Sequence, residues 1–208
     1  MKKFLKTLPF ILFLFCFTSC VDYVQSITYK NGKYQMYYKI TLSKVLFEMM
    51  DEDPEQIFQE FDEEALNEFP ERGEIKAVNT DLEIGAEIIL KLDPKTTDET
   101  EKELLPKVSG NKCFIPFLLG NNDSISDSVK SEGEAMAQAM LSSAKCRVLI
   151  SKSIIPVIET AYFTGKGGQN YSIPIYDYGD ANCLEIPFII LFETGMYRTD
   201  RIVIIKGE

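Results

Sequence analysis

Polar and apolar residues alternate on both sides of Asn31-Gly32, from residue 23 to residue 43. An Asn-Gly pair between two alternating segments predicts a β-hairpin with a two-residue type I′ turn, because both positions tolerate a positive φ. Pairing across this turn sets Tyr29 opposite Tyr34 and Tyr23 opposite Ile40, on one largely apolar face. The other face carries mainly lysine, serine and threonine, so the hairpin is expected to belong to a sheet with one buried face.

The segment that follows, residues 53–69, has the spacing of an amphipathic helix. Asp53 is a candidate N-cap, Pro54 suits the first helical position, and Gln56 completes an arrangement similar to a capping box. Apolar residues recur every three or four positions, with acidic residues between them. The predicted helix ends at Pro70, and its outer face is acidic.

Alternating apolar residues return at residues 74–78 and 82–92, which are predicted strands. The second half of the chain contains further predicted strands around one helix. These strands cover residues 113–119, 147–163, 171–178, 183–192 and 201–205, and the helix lies between residues 126 and 144. Each main apolar run contains a proline, which removes a backbone donor and is expected at an edge, a bend or a bulge.

Together these elements predict an α+β fold of antiparallel sheets. Its first half carries an acidic amphipathic helix, and its strand-rich second half carries one helix. Residues 20–93 form the first region, residues 94–107 a charged loop or linker, and residues 108–208 the second region. The second region either continues the first domain or forms a domain of its own.

Residues 1–19 are predicted to be a signal peptide and not part of the fold. Lys2, Lys3 and Lys6 precede an apolar run over residues 8–17, which is too short to cross a bilayer as a helix. A conventional secretory signal is one interpretation of this segment.

The same segment ends in small residues before Cys20, and in this it resembles a bacterial lipoprotein signal. In that family the cysteine receives a diacylglycerol and the preceding segment is removed. The resemblance implies that Cys20 is lipidated and that the protein is anchored to a bacterial membrane in the cell envelope. Phe17 departs from the family, which prefers Leu, Val, Ala or Ile there, and Cys16 is a weaker candidate because two bulky residues precede it.

Four features recur in order after the signal: Lys-Asn-Gly-Lys at residues 30–33, Thr-Leu-Ser-Lys at residues 41–44, Asp-Pro-Glu at residues 53–55 and a strand centred on Gly85. With them, residues 22–93 resemble the LppM-like domain of bacterial surface lipoproteins. The resemblance implies a secreted α+β domain with an apolar cleft associated with lipid or glycolipid binding. The second half of the chain has no counterpart in it.

The chain has 208 residues, with 22 basic and 32 acidic side chains and no histidine. Removal of three lysines with the signal peptide lowers the basic count to 19 and brings the net charge to −13. This charge argues against nucleic acid as a partner, because phosphates require a basic surface. The lack of histidine excludes Ser-His and Cys-His catalysis and histidine-ligated metals.

Tyrosine and lysine are concentrated in the first hairpin, close to the predicted anchor. Both side chains suit a boundary between apolar and wet surroundings, so Tyr23, Tyr37 and Lys39 are candidate ligand-binding residues. An ordinary packed face is the alternative.

Cys113 and Cys183 each begin a predicted strand. In an oxidising compartment they are a candidate disulfide, and buried unpaired thiols are the alternative. No catalytic residue is predicted, since two Ser-x-x-Lys matches lack the sequence context that a serine nucleophile requires. No metal site or cofactor is predicted either.

These observations lead to the hypothesis of a membrane-anchored bacterial envelope lipoprotein of a non-enzymatic binding or interaction type. Its expected partners are the membrane and either a lipid or other apolar ligand held in a cleft, or an envelope protein. One alternative is a carboxylate-dependent hydrolase acting on envelope polysaccharide. Another is a structural partner in envelope assembly.

Overall fold

The computed structural model describes residues 21–49, 53, 73–117, 144–165, 167–193 and 201–207. Within these ranges the chain forms twelve strands and three short helices. The strands are β1 (Val21–Lys30), β2 (Lys33–Ser43), β3 (Gly73–Asn79), β4 (Glu83–Leu92), β5 (Lys107–Ser109), β6 (Lys112–Pro116), β7 (Lys145–Ser151), β8 (Ile158–Thr164), β9 (Asn170–Ser172), β10 (Ile175–Asp177), β11 (Ala181–Pro187) and β12 (Arg201–Lys206). The helices are α1 (Lys44–Met49), α2 (Glu99–Lys102) and α3 (Phe188–Glu193).

The strands form two sheets. The first has seven strands in the order β10-β11-β7-β1-β2-β4-β3, and the second has five in the order β5-β6-β12-β8-β9. Neighbouring strands are antiparallel except β1 and β7, which run parallel and join the two halves of the chain in one sheet. Ile173 and Pro174, between β9 and β10, carry the chain from the second sheet to the first.

The predicted hairpin is confirmed as β1 and β2. Tyr29 pairs with Tyr34 and Tyr23 with Ile40, so the register is the one that the Asn-Gly turn requires. Asn31 and Gly32 have φ values of 55° and 80°, which are the positive values of a type I′ turn.

A single apolar core lies between the two sheets. Alternate residues of the central strands are buried there, because successive side chains of a strand point to opposite faces. The core includes Tyr23, Ile27, Met36, Tyr38, Leu90 and Leu92 from the first half of the chain, and Cys113, Ile115, Val148, Ile150, Phe163, Leu184, Ile202 and Ile204 from the second. Leu105, in the segment predicted to be a loop or linker, also belongs to this core.

The α+β class is wrong for the described part of the chain, which is built from two sheets. Its helices are four to six residues long, and none of them is the predicted acidic amphipathic helix. That helix, apart from Asp53, and the helix predicted between residues 126 and 144, apart from Ala144, lie outside the described residues.

Prolines explain where the predicted long strands of the second half break. The run at 147–163 divides into β7 and β8, with Pro156 between them, and the run at 171–178 divides at Pro174. Pro116 and Pro187 are the last residues of their strands. After Pro187 the apolar run continues as α3 and not as strand, an ambiguity that short apolar runs carry.

Candidate functional site

The outer face of the seven-stranded sheet, turned away from the core, carries paired charges across five strands. This outer ion network consists of Asp22, Lys39, Thr41, Glu83, Lys145, Arg147 and Glu185. Asp22 of β1 pairs with Thr41 of β2 on one side and with Lys145 of β7 on the other. Residues two positions apart on a strand share a face, so Lys39 and Arg147 lie on the same side of the sheet.

Asp22 stands at the centre of the network, between two cations. Arg147 donates from Nη1 to Asp22 Oδ1 over 3.3 Å, and Lys39 Nζ lies 4.0 Å from Asp22 Oδ2. Lys39 and Asp22 are half-buried, and Arg147 is exposed. The carboxylate of Asp22 therefore links a cation of β7 to a cation of β2.

On the β4 side, Glu83 accepts two hydrogen bonds. Lys39 Nζ donates to Glu83 Oε1 and Thr41 Oγ1 donates to Glu83 Oε2, each over 3.0 Å. Burial alone would raise the pKa of Glu83, but these two hydrogen bonds outweigh it and the pKa is lowered. The pKa of Lys39 is raised, chiefly by the hydrogen bond that it donates to Glu83. The pair is therefore charged at neutral pH.

On the β11 side, Glu185 lies against two further cations. Lys145 Nζ donates to Glu185 Oε2 over 2.8 Å, and Arg147 Nε lies 3.7 Å from Glu185 Oε1. The hydrogen bond to Glu185 raises the pKa of Lys145. Arg147 is thus shared between Asp22 and Glu185, neither of them at the short distance of a bidentate pair.

Tyr37 lies on the same outer face, two residues from Lys39. Burial raises the pKa of its phenol, and a hydrogen bond to the carboxylate of Glu87 raises it further. The structure thus brings together two of the three residues predicted to bind a ligand, Tyr37 and Lys39.

Tyr23, the third predicted residue, is on the opposite face and is fully buried in the core. Its hydroxyl donates to Gln25 Oε1 over 3.0 Å, and Gln25 Nε2 donates to the carbonyl of Pro116 in the other sheet over 2.7 Å. Its ring packs edge-on against Phe117, with centroids 5.3 Å apart. Tyr23 therefore joins the two sheets and is not accessible to a ligand on the outer face.

The candidate disulfide between Cys113 and Cys183 is not formed. Both residues and Cys146 are buried free thiols, and Cys113 lies in the five-stranded sheet while Cys183 lies in the seven-stranded one. Burial raises the pKa of Cys113 to about 11 and also raises the pKa of Cys146 and of Cys183. Since thiolates are the nucleophilic form, these thiols are poorly reactive at neutral pH.

Most residues of the outer ion network were not predicted from the sequence. Asp22 and Arg147 are 125 residues apart, and only the parallel pairing of β1 with β7 brings them together. A local signal does exist, because Lys145 and Arg147 flank the buried Cys146, and Glu185 lies between two buried residues. Charges at every second position of a strand mark a solvated face.

The network lies close to the predicted lipidation site. Cys20 is outside the described residues, but β1 begins at the next residue, Val21. At about 3.3 Å per residue, Asp22 and Val24, the two β1 positions beside the network, lie about 3 and 10 Å along the strand from Val21.

Comparisons of the chain with family models, with curated proteins and with solved structures give no match. Among the described residues, no helix has the length and apolar character needed to cross a membrane. The described ranges also contain no group of three or more acidic or cysteine side chains placed to hold a metal ion.

Proposed function

We propose that the protein is a non-enzymatic lipoprotein of the bacterial cell envelope, acylated at Cys20, whose folded part binds a membrane lipid. The observation that carries this proposal is that β1 begins at Val21, directly after Cys20. Acyl chains on Cys20 would therefore hold the end of the sheet where β1 begins at the membrane surface, with no linker between anchor and fold.

The outer ion network is the proposed contact for the lipid headgroup. It holds three cations and three carboxylates, so it is neutral in a chain whose overall charge is strongly negative. Lys39, Lys145 and Arg147 lie within about 10 Å of Val21 along the strand direction, which is close to the height of lipid headgroups for a protein anchored at Cys20. Arginine suits this role because its planar guanidinium binds phosphate oxygens in pairs.

The anchor is tested by Cys20→Ala, with Cys16→Ala as the matched control. We expect the wild-type protein and Cys16→Ala to incorporate an alkyne-tagged fatty acid and to sediment with membranes, because both retain the acylated cysteine. Cys20→Ala should incorporate none. Acylation of Cys20→Ala at the wild-type level would contradict the proposal.

The headgroup contact is tested by Arg147→Ala in the unacylated chain of residues 21–208, which keeps every described strand. After incubation with a bacterial lipid extract, native mass spectrometry should detect retained phospholipid on the wild-type chain. Loss of a charge-assisted hydrogen bond should lower retention about tenfold.

The control for this experiment is Lys91→Ala. Lys91 also lies on the outer face and pairs with a carboxylate, Glu74, but at the end of the sheet away from Val21. Its removal should leave retention unchanged. Equal losses in the two variants would mean that general charge, and not the network, governs binding, and no lipid on any chain would reject the binding role.

A further inference from the structure

Two large apolar side chains are exposed on neighbouring segments at one end of the seven-stranded sheet. Leu82 is 74% exposed and Val45 is 51% exposed. Leu82 belongs to the turn between β3 and β4, and Val45 to the first turn of α1 after β2. The amide of Lys44 donates to the carbonyl of Leu82 over 2.9 Å, so the two segments are joined. We call Val45 and Leu82 the apolar tip.

The strand register gives the height of the apolar tip relative to Cys20. Val21 pairs with Leu42, and Leu42 pairs with Ile84. Ile84 is therefore level with Val21 across the sheet, and Leu82 lies two residues farther toward the end where β1 begins. Leu82 of the apolar tip thus lies past the level of Val21, at the end of the sheet next to which Cys20 stands in the sequence.

We infer that the apolar tip inserts into the membrane interface beside the acyl chains and fixes the orientation of the sheets on the bilayer. The inference rests on the proposed acylation of Cys20. An anchor with a long linker would allow the folded part to tumble, whereas here residue 21 is already in a strand. A lipid surface is the occupant that suits exposed leucine and valine at that height, since it accepts apolar side chains at the boundary of headgroup and hydrocarbon.

Charge at this end is mixed, because the exposed Asp81 precedes Leu82 while Lys44 precedes Val45. Glu83 lies beside the apolar tip, but it is bound by Lys39 and Thr41. Asp22 and Glu185 are likewise paired with cations, so they add little repulsion toward anionic headgroups.

Other exposed apolar residues lie elsewhere. Tyr178, which is 60% exposed, is in the turn before β11, level with the far end of β7.

The test places one fluorescent probe on the acylated full protein in vesicles of phosphatidylethanolamine and phosphatidylglycerol. Leu82→Cys carries the probe at the apolar tip, and Tyr178→Cys is the matched control at the other end, about 30 Å farther along the sheet. The three native thiols are buried with raised pKa values, so a thiol reagent should leave them unlabelled, as the unsubstituted protein would show.

We expect a blue shift at Leu82 on vesicle binding and quenching by nitroxide-labelled lipid, with neither change at Tyr178. A probe at Val45→Cys should behave like the one at Leu82. Equal emission and quenching at Leu82 and Tyr178 would overturn the inference.

Vesicle flotation of the same labelled proteins separates the two proposals. Protein that floats with vesicles but shows no quenching at Leu82 retains the anchor. This result would refute insertion of the apolar tip into the membrane. Protein that does not float lacks the anchor, which rejects the proposed function and this inference with it.

Discussion

At the scale of single residues, Gly85 decides how closely two strands of the site approach each other. A Cβ atom at this position would lie 1.9 Å from the carbonyl oxygen of Ile40 and 2.8 Å from Cα of Thr41. Both neighbours are backbone atoms of β2, so no side-chain rotation can relieve the contact. The glycine thus lets β4 pair with β2, which brings Glu83 within reach of Lys39.

We therefore expect Gly85→Ala to lower the free energy of unfolding by about 3 kcal/mol, the upper end of the range for overpacking, because the backbone of β2 must move. The matched control is Gly167→Ala, whose added Cβ would approach only the flexible side chain of Gln169, at 3.3 Å. Urea unfolding followed by circular dichroism measures both. A loss for Gly85→Ala no larger than that for Gly167→Ala would contradict this account.

At the scale of elements, local signals predicted the first hairpin completely and the second half poorly. The Asn31-Gly32 turn sets the register of its own strands, because the two strands are adjacent in sequence and one face is buried. The strand at β4 also followed from alternation, although Leu82, counted with its apolar face, is exposed. The sequence is sufficient to predict a strand where its turn residues and its alternation of apolar and polar residues are local.

In the second half, the errors in strand limits arose at elements whose type or extent depends on the rest of the structure. Residues 147–163 are one apolar run in sequence, yet they form two strands in different sheets with a turn between them. The run that ends β11 continues as α3 with no change in hydrophobicity. Such runs become strand or helix according to the surface against which they pack, which periodicity does not encode.

At the scale of the whole molecule, the sequence predicted only the part of the candidate site that lies on the first hairpin. Tyr37 and Lys39 follow from the polar face of the hairpin. Asp22, Arg147 and Glu185 meet because β7 inserts beside β1 in parallel and β11 adds beyond it. A parallel pairing of strands more than a hundred residues apart leaves no turn signal between them, so it could not be inferred from one sequence.

The same long-range pairing bears on whether the chain forms one domain or two. The core between the sheets draws on both halves of the chain, and β1 and β7 share one sheet. Two sheets that bury one common core should lose it together, so we expect a single unfolding transition in urea, with tyrosine fluorescence and circular dichroism coinciding. Separate transitions for the two probes would contradict a common core.

A substitution at Gln25 tests how much one buried polar contact between the two sheets contributes to the free energy of unfolding. Its side chain is fully buried, accepts from Tyr23 and donates to the carbonyl of Pro116 in the other sheet. Gln25→Ala leaves a buried hydroxyl and a buried carbonyl without these partners, so we expect a loss of about 3 kcal/mol in the free energy of unfolding. The control is Gln35→Ala at an exposed site of β2, which should cost less than about 0.5 kcal/mol. If both variants lose the same small amount, the apolar core alone holds the two sheets together. If Gln25→Ala alone is destabilised and still unfolds in one step, the buried amide strengthens a junction that the core already makes cooperative.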